Sequence, residues 1–130
     1  MFKCLNEKEA HFTKNTTQDI ERIKKNFQSC QKMFLAFGDE TRQYILSILL
    51  CSDCSGSRVV DIAKRTNLSR PAVSHHMQIL KNAGIVKTRK EGTFVFYYLD
   101  PDEEEIKAII DLFSDIQRIM KNVPDRSGEA

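Results

Sequence analysis

Between Lys64 and Lys90 the chain carries seven basic side chains, Lys64, Arg65, Arg70, Lys81, Lys87, Arg89 and Lys90, and no Asp or Glu. A cationic window of this kind is an electrostatic footprint for a polyanion. Within it, Arg70, Ser74, His75 and Gln78 fall on one helical face, opposite the apolar Val73, Met77 and Leu80, with small Ala72 beside them. Arg can pair bidentately with guanine, Ser and His can reach a base or a phosphate, and a helix N-terminus itself attracts phosphate. The second chemically capable group is Cys51-Ser52-Asp53-Cys54. Two thiolates at that spacing can chelate a soft metal or metalloid ion or close a disulfide, with Cys4 or Cys30 as further ligands. The alternative for the pair is structural, with Cys51 packed at a helix end and Cys54 free in a loop.

The elements that must position these residues can be read from periodicity and caps. Residues 1–16 lack a periodic signal and are expected to form a flexible arm. Ile20, Ile23, Phe27, Cys30, Phe34 and Phe37 recur at steps of three and four, which predicts one long helix from an N-cap at Thr17 to a stop at Gly38. Asp39 caps a second helix to about Leu50, and SDCSGS breaks it. Arg58 to Thr66 forms a short third helix, Thr66-Asn67-Leu68 a tight turn, and Ser69 caps a fourth helix, about 70–83, with Pro71 in its first turn. Gly84 ends that helix. A hairpin over about 85–99 follows, made of Ile85–Arg89 and Phe94–Leu99 joined through Lys90-Glu91-Gly92-Thr93. A final helix begins at three consecutive Glu residues and presents Ile106, Ile109, Ile110, Phe113, Ile116 and Met120. The expected fold is mainly α with a small β-hairpin. Helix, turn, capped helix and ribbon is the arrangement that puts a helix in a DNA groove with a wing beside it.

The segments MFLAFGDETRQYILSILL and LSRPAVSHHMQILKNAGIVKTRKEGTFVFYYLD, roughly Met33 to Asp100, resemble the ArsR/SmtB family of winged helix-turn-helix regulators. The resemblance implies a homodimer built on the N- and C-terminal helices, which agrees with the surplus apolar stripes of those helices. It also implies repression of an operon with release of DNA when an effector binds. Carried over by position, base and phosphate contacts fall on Arg70, Ser74 and His75, and wing contacts on Arg89, Lys90 and the Gly92 turn. An imperfect inverted repeat of double-stranded DNA is the expected operator. Family members that use thiols carry C-x-C where Arg58 and Val60 stand here, and zinc-sensing members carry His on the last helix, where this chain has none. The standard metal sites are therefore expected to be absent, and no cofactor is required for the fold. Asp111 and Asp115, one turn apart, can share a hard cation or be solvated. His75 is placed for DNA, His76 for packing.

Length and composition frame these readings. At 130 residues, 41% hydrophobic and 29% charged, the chain suits one domain over 17–122 with a tail at 123–130, and two independent cores are not expected. The net charge of +2 conceals opposite halves, since Asp100, Asp102, Glu103, Glu104, Glu105, Asp111 and Asp115 stand against Lys107 alone. An apolar leader or a span of roughly 20 apolar residues is missing, so a cytoplasmic location with no membrane partner is expected. The alternation Phe94, Phe96, Tyr98 against Val95, Tyr97, Leu99 leaves both faces of the second wing strand apolar. They are expected to pack on the protein's own helices or its dimer mate. Exposed, they would suit a winged-helix module that docks a protein partner and binds DNA weakly. No ordered catalytic set or glycine-rich phosphate loop is present, so an enzyme is not expected.

Overall fold

The computed structural model describes residues 14–128, in the order α1 (Lys14–Ser29), α2 (Gln31–Phe37), α3 (Glu40–Leu50), α4 (Val59–Thr66), α5 (Arg70–Asn82), β1 (Val86–Glu91), β2 (Phe94–Leu99) and α6 (Glu103–Lys121). The single long first helix predicted from the apolar stripe is two helices. Cys30 takes φ −93° and ψ 2°, which interrupts the helix while leaving the stripe's spacing nearly intact. The helix also starts at Lys14 and not after a Thr17 cap, so 14–16 lie inside α1 and the rest of the expected arm is outside the described residues.

Contacts divide the described residues into two compact units, 30–106 and 14–29 with 107–128. In the first, Asp39 caps α3 by accepting from the Arg42 N–H at 2.9 Å. Arg42 in turn closes the end of α2, donating through Nε to the Ala36 carbonyl and through Nη2 to the Leu35 carbonyl, both at 2.9 Å. Gln43 donates to the Phe37 carbonyl at 2.6 Å. These are the last carbonyls of a short helix, which have no partner within it. Ile45, Leu46, Ile48 and Leu49 bury the inner face of α3.

The turn between α4 and α5 is set by Asn67 in the left-handed region, φ 59°, and by the Thr66 hydroxyl, which donates to the Ile62 carbonyl at 2.8 Å. Ser69 caps α5, accepting from the Ala72 N–H at 3.2 Å, and Pro71 sits in the first turn where no N–H is needed. At the other end the Gly84 N–H bonds the Lys81 carbonyl and the Ile85 N–H bonds the Leu80 carbonyl, each at 3.0 Å. That is a Schellman closure, with Gly84 at φ 77° and with Leu80 and Ile85 fully buried.

β1 and β2 pair antiparallel from Val86↔Leu99 to Glu91↔Phe94. β1 thus runs two pairs into the predicted loop, because Lys90 and Glu91 keep the ladder and only Gly92 and Thr93 turn. Gly92 has φ 60° and Thr93 is not in positive φ, the pattern of a II′ turn that matches strand twist.

In the second unit α1 and α6 are joined by charge. Asp19 and Asp115 are buried, and Arg22 and Arg118 each bond both of them, at 2.6 to 2.8 Å. The predicted apolar face of α6 is not its buried face. Leu112, Asp115 and Ile119 are buried, whereas Ile110 and Phe113 are 57% and 54% exposed. No helix among the described residues is long and apolar enough to cross a membrane.

Candidate nucleic-acid interface

α5 separates two faces cleanly. Val73, Met77 and Leu80 are fully buried, while Arg70, Ser74, His75 and Gln78 are exposed and Ala72 half-buried. The buried stripe fixes the helix against its own unit and leaves the donor face outward. Arg70 makes no hydrogen bond or ion pair among the described residues. Gln78 donates to Asn82 Oδ1 at 2.9 Å, which aligns its amide along the helix. The adjacent His rings diverge, with centroids 5.8 Å apart and planes tilted by 57°. His75 points to solvent, and His76 is half-buried with Nδ1 3.4 Å from Arg42 Nη1.

The cationic window is narrower than its composition implies. Lys87 lies 3.0 Å from Asp100 and 3.3 Å from Asp102, and the Asp100 carboxylate pushes its ammonium pKa above the usual lysine range. Arg89 pairs with Glu91 at 3.1 Å. Arg65 donates to the Ser52 hydroxyl at 2.5 Å, a neutral partner. Lys64, Arg65, Arg70, Lys81 and Lys90 therefore supply the uncompensated charge. The acidic residues responsible follow the window in sequence, so a count confined to 64–90 misses them.

On the wing, Lys90 and Gly92 are exposed and Arg89 is half-buried. Arg89 is held by the protein itself, donating to the Ser55 carbonyl at 2.6 Å and stacking 4.9 Å from the centroid of Phe96. Arg58 covers the neighbouring ring, 4.7 Å from the centroid of Phe94. Two guanidinium planes therefore shield the aromatic face that sequence alone left open. Phe94 remains 51% exposed, and Phe96 and Tyr98 are half-buried. Neither Arg58 nor Arg42 was singled out from sequence as a positioning residue. The signal for Arg58 was the apolar strand face that needed a cover.

Of the candidate sensor residues, Cys51 and Cys54 are exposed, Cys30 is buried, and Cys4 lies outside the described residues. No three His, Cys, Asp or Glu side chains converge among the described residues, so Cys30 is not gathered with the pair. The Asp111 and Asp115 cation pair does not form. Asp115 is taken by Arg22 and Arg118, and Asp111 lies 3.6 Å from Lys107. Bonding to Arg118 holds the Asp19 carboxyl below the usual carboxylate range, and bonding to Arg22 does the same for Asp115.

Comparison with known proteins places the chain in a family. Residues 39–88 match the family model described as bacterial regulatory protein, arsR family. An uncharacterized HTH-type transcriptional regulator of Methanocaldococcus jannaschii is 41% identical, over 69% of this chain and 97% of its own length. The transcriptional repressor SdpR of Bacillus subtilis is 38% identical over 52% of this chain and 72% of its own. Among solved structures, HlyU from Vibrio cholerae superposes with a TM-score of 0.54 at 30% identity, covering 73% of this chain and 95% of that one.

Proposed function

Because this chain belongs to the ArsR family and is a DNA-binding transcriptional regulator of winged helix-turn-helix fold, we propose that it acts as a homodimeric, effector-released repressor of an inverted-repeat operator. α5 lies in the major groove of each half-site and the β1–β2 wing lies beside it. The repressive sense is supported by the SdpR relative. The observation that carries the DNA reading is the two-faced α5, whose buried Val73, Met77 and Leu80 turn an unpaired Arg70 with Ser74, His75 and Gln78 outward. Arg70 reads a base edge, Ser74 and His75 contact bases or phosphates, and Lys90 with the Gly92 turn tracks the backbone. Arg89, tied to Ser55, sets the wing's position.

Dimerisation is supported by the α6 stripe, where Ile110 and Phe113 stand half-exposed beside Ile116. Apolar side chains in a continuous helical row are costly to leave in water, and a second copy buries them. A dyad would place the two α5 helices about one helical turn, roughly 34 Å, apart on the duplex.

The protein-docking alternative is not favoured, since the relatives of this chain are DNA-binding transcriptional regulators and Arg58 and Arg89 stack on two of the wing aromatics. A gel shift on the DNA upstream of the chain's own coding sequence tests the proposal. A site-selective shift that weakens with added salt is expected. A chain that shifts specific and random duplexes equally, or neither, would refute it.

A further inference from the structure

The DNA-facing elements leave the two exposed thiols of Cys51 and Cys54 unused. Cys51 is the C-cap of α3, the chain bends at Ser52, and it turns again over Cys54 and Ser55, where the Gly56 N–H bonds the Asp53 carbonyl at 3.1 Å. Two changes of direction within a few residues keep the segment from being extended, the condition for bringing the two α carbons toward the separation of about 4.4–6.8 Å that a disulfide spans. Among the described residues the donor set stops at two. No third His, Cys, Asp or Glu joins the pair among the described residues, and the Asp53 carboxylate accepts from the Ser55 N–H at 3.0 Å. Two thiols with no further donor among the described residues suit dithiol chemistry better than a four-ligand metal site.

The same segment anchors the wing. Ser57 and Tyr97 exchange two backbone hydrogen bonds at 2.8 Å, and the Ser55 carbonyl holds Arg89 at 2.6 Å. Between them Gly56, at φ 115°, lies so close to β2 that a Cβ there would be 3.0 Å from the Tyr97 carbonyl oxygen and 3.1 Å from Phe96 Cβ. No slack separates the turn from the strand. Displacement of Cys54 therefore passes directly to β2 and to Arg89.

We propose that Cys51 and Cys54 are a dithiol site for hydroperoxides, and that its disulfide form moves the wing and weakens duplex binding. One thiolate attacks the peroxide, so an S–O bond forms, the O–O bond breaks, and the second oxygen leaves as alcohol or water. The other thiol then attacks the sulfenic sulfur, the S–S bond forms, and water leaves with the displaced oxygen. Two thiols are oxidised by two electrons and one peroxide is reduced. The effect on binding rests on the DNA reading above; the disulfide does not.

The test treats the reduced full chain with hydrogen peroxide and maps cysteine linkages by mass spectrometry. In parallel, duplex affinity is measured for wild type, Cys51→Ser, Cys54→Ser and the double variant, each checked for folding by circular dichroism. Expected are a Cys51–Cys54 link, a loss of affinity of about tenfold or more, within the ordinary range of coupling between sites, and recovery on reduction. All Ser variants should keep their affinity under peroxide. An unlinked Cys51–Cys54 peptide, a linked protein of unchanged affinity, or a double variant that still responds would overturn the proposal. If the reduced protein binds no DNA, the DNA reading fails, and the linkage map alone decides the dithiol.

Discussion

Arg89 reaches back across 34 positions to donate to the Ser55 carbonyl at 2.6 Å, while its guanidinium stacks on Phe96, its partner across the hairpin. This planar cation fastens the wing to the Ser55 turn alongside the Ser57–Tyr97 backbone pair. Lysine keeps the charge but cannot make the fork and the stack together. Arg89→Lys should lose about 1 kcal/mol of stability, the ordinary worth of one such hydrogen bond and cation–π contact in partial exposure. Urea denaturation would show it as a lower midpoint with an unchanged slope.

The Arg70 side chain makes no hydrogen bond or ion pair among the described residues, so its removal should leave folding alone. Arg70→Ala is expected to cost about 1–3 kcal/mol of binding and to relax base preference at one position per half-site. Lys90→Ala should weaken all duplexes alike and lower the salt slope by about one per protomer. Fluorescence anisotropy on operator and scrambled duplexes separates the two behaviours.

How much of this could be read beforehand depended on whether a feature was local. Asp39, Ser69 and Gly84 announce helix ends because capping is satisfied within a few residues, and all three do so in the structure. The break at Cys30 carried no Gly or Pro to mark it, and the apolar spacing runs through it. Asp115 could not be recognised as a buried residue, because the arginine that neutralises it from α1 lies 93 positions away. The pairing of Lys87 and Arg89 was hidden from a count within the window for a related reason: their carboxylate partners sit just outside it. The donor face of α5 was legible because one helical period fixes both its sides.

The charge network in the α1–α6 unit makes a pH prediction. The carboxyls of Asp19 and Asp115 are held below their ordinary value of 3.8, Asp19 mainly by Arg118 and Asp115 mainly by Arg22. A depressed folded-state pKa means the unfolded chain binds protons first as pH falls. The stabilisation is therefore complete above the unfolded value and is lost as pH drops through the lowered ones. Asp115→Asn should melt well below wild type at neutral pH, and the gap should close only in strongly acidic buffer. A gap independent of pH would contradict the assignment.

Two glycines offer a paired control. Gly56 and Gly92 both hold positive φ, at 115° and 60°, but only Gly56 has neighbours where a Cβ would stand. Gly92→Ala pays the backbone cost alone, about 1 kcal/mol, whereas Gly56→Ala must also displace β2 and should cost about 2–4 kcal/mol. Thermal melts of the two variants give the comparison, and Gly56→Ala should also reduce duplex affinity by disturbing the wing.

The most direct measurement is the salt dependence of affinity for an inverted-repeat duplex selected by the purified protein. If each protomer of a dimer neutralises ~4 phosphates, the logarithm of affinity falls against the logarithm of salt with a slope near minus seven. Two protomers should bind per duplex. A slope near zero, or a single protomer bound with full selectivity, would contradict the account of a paired helix and wing gripping DNA.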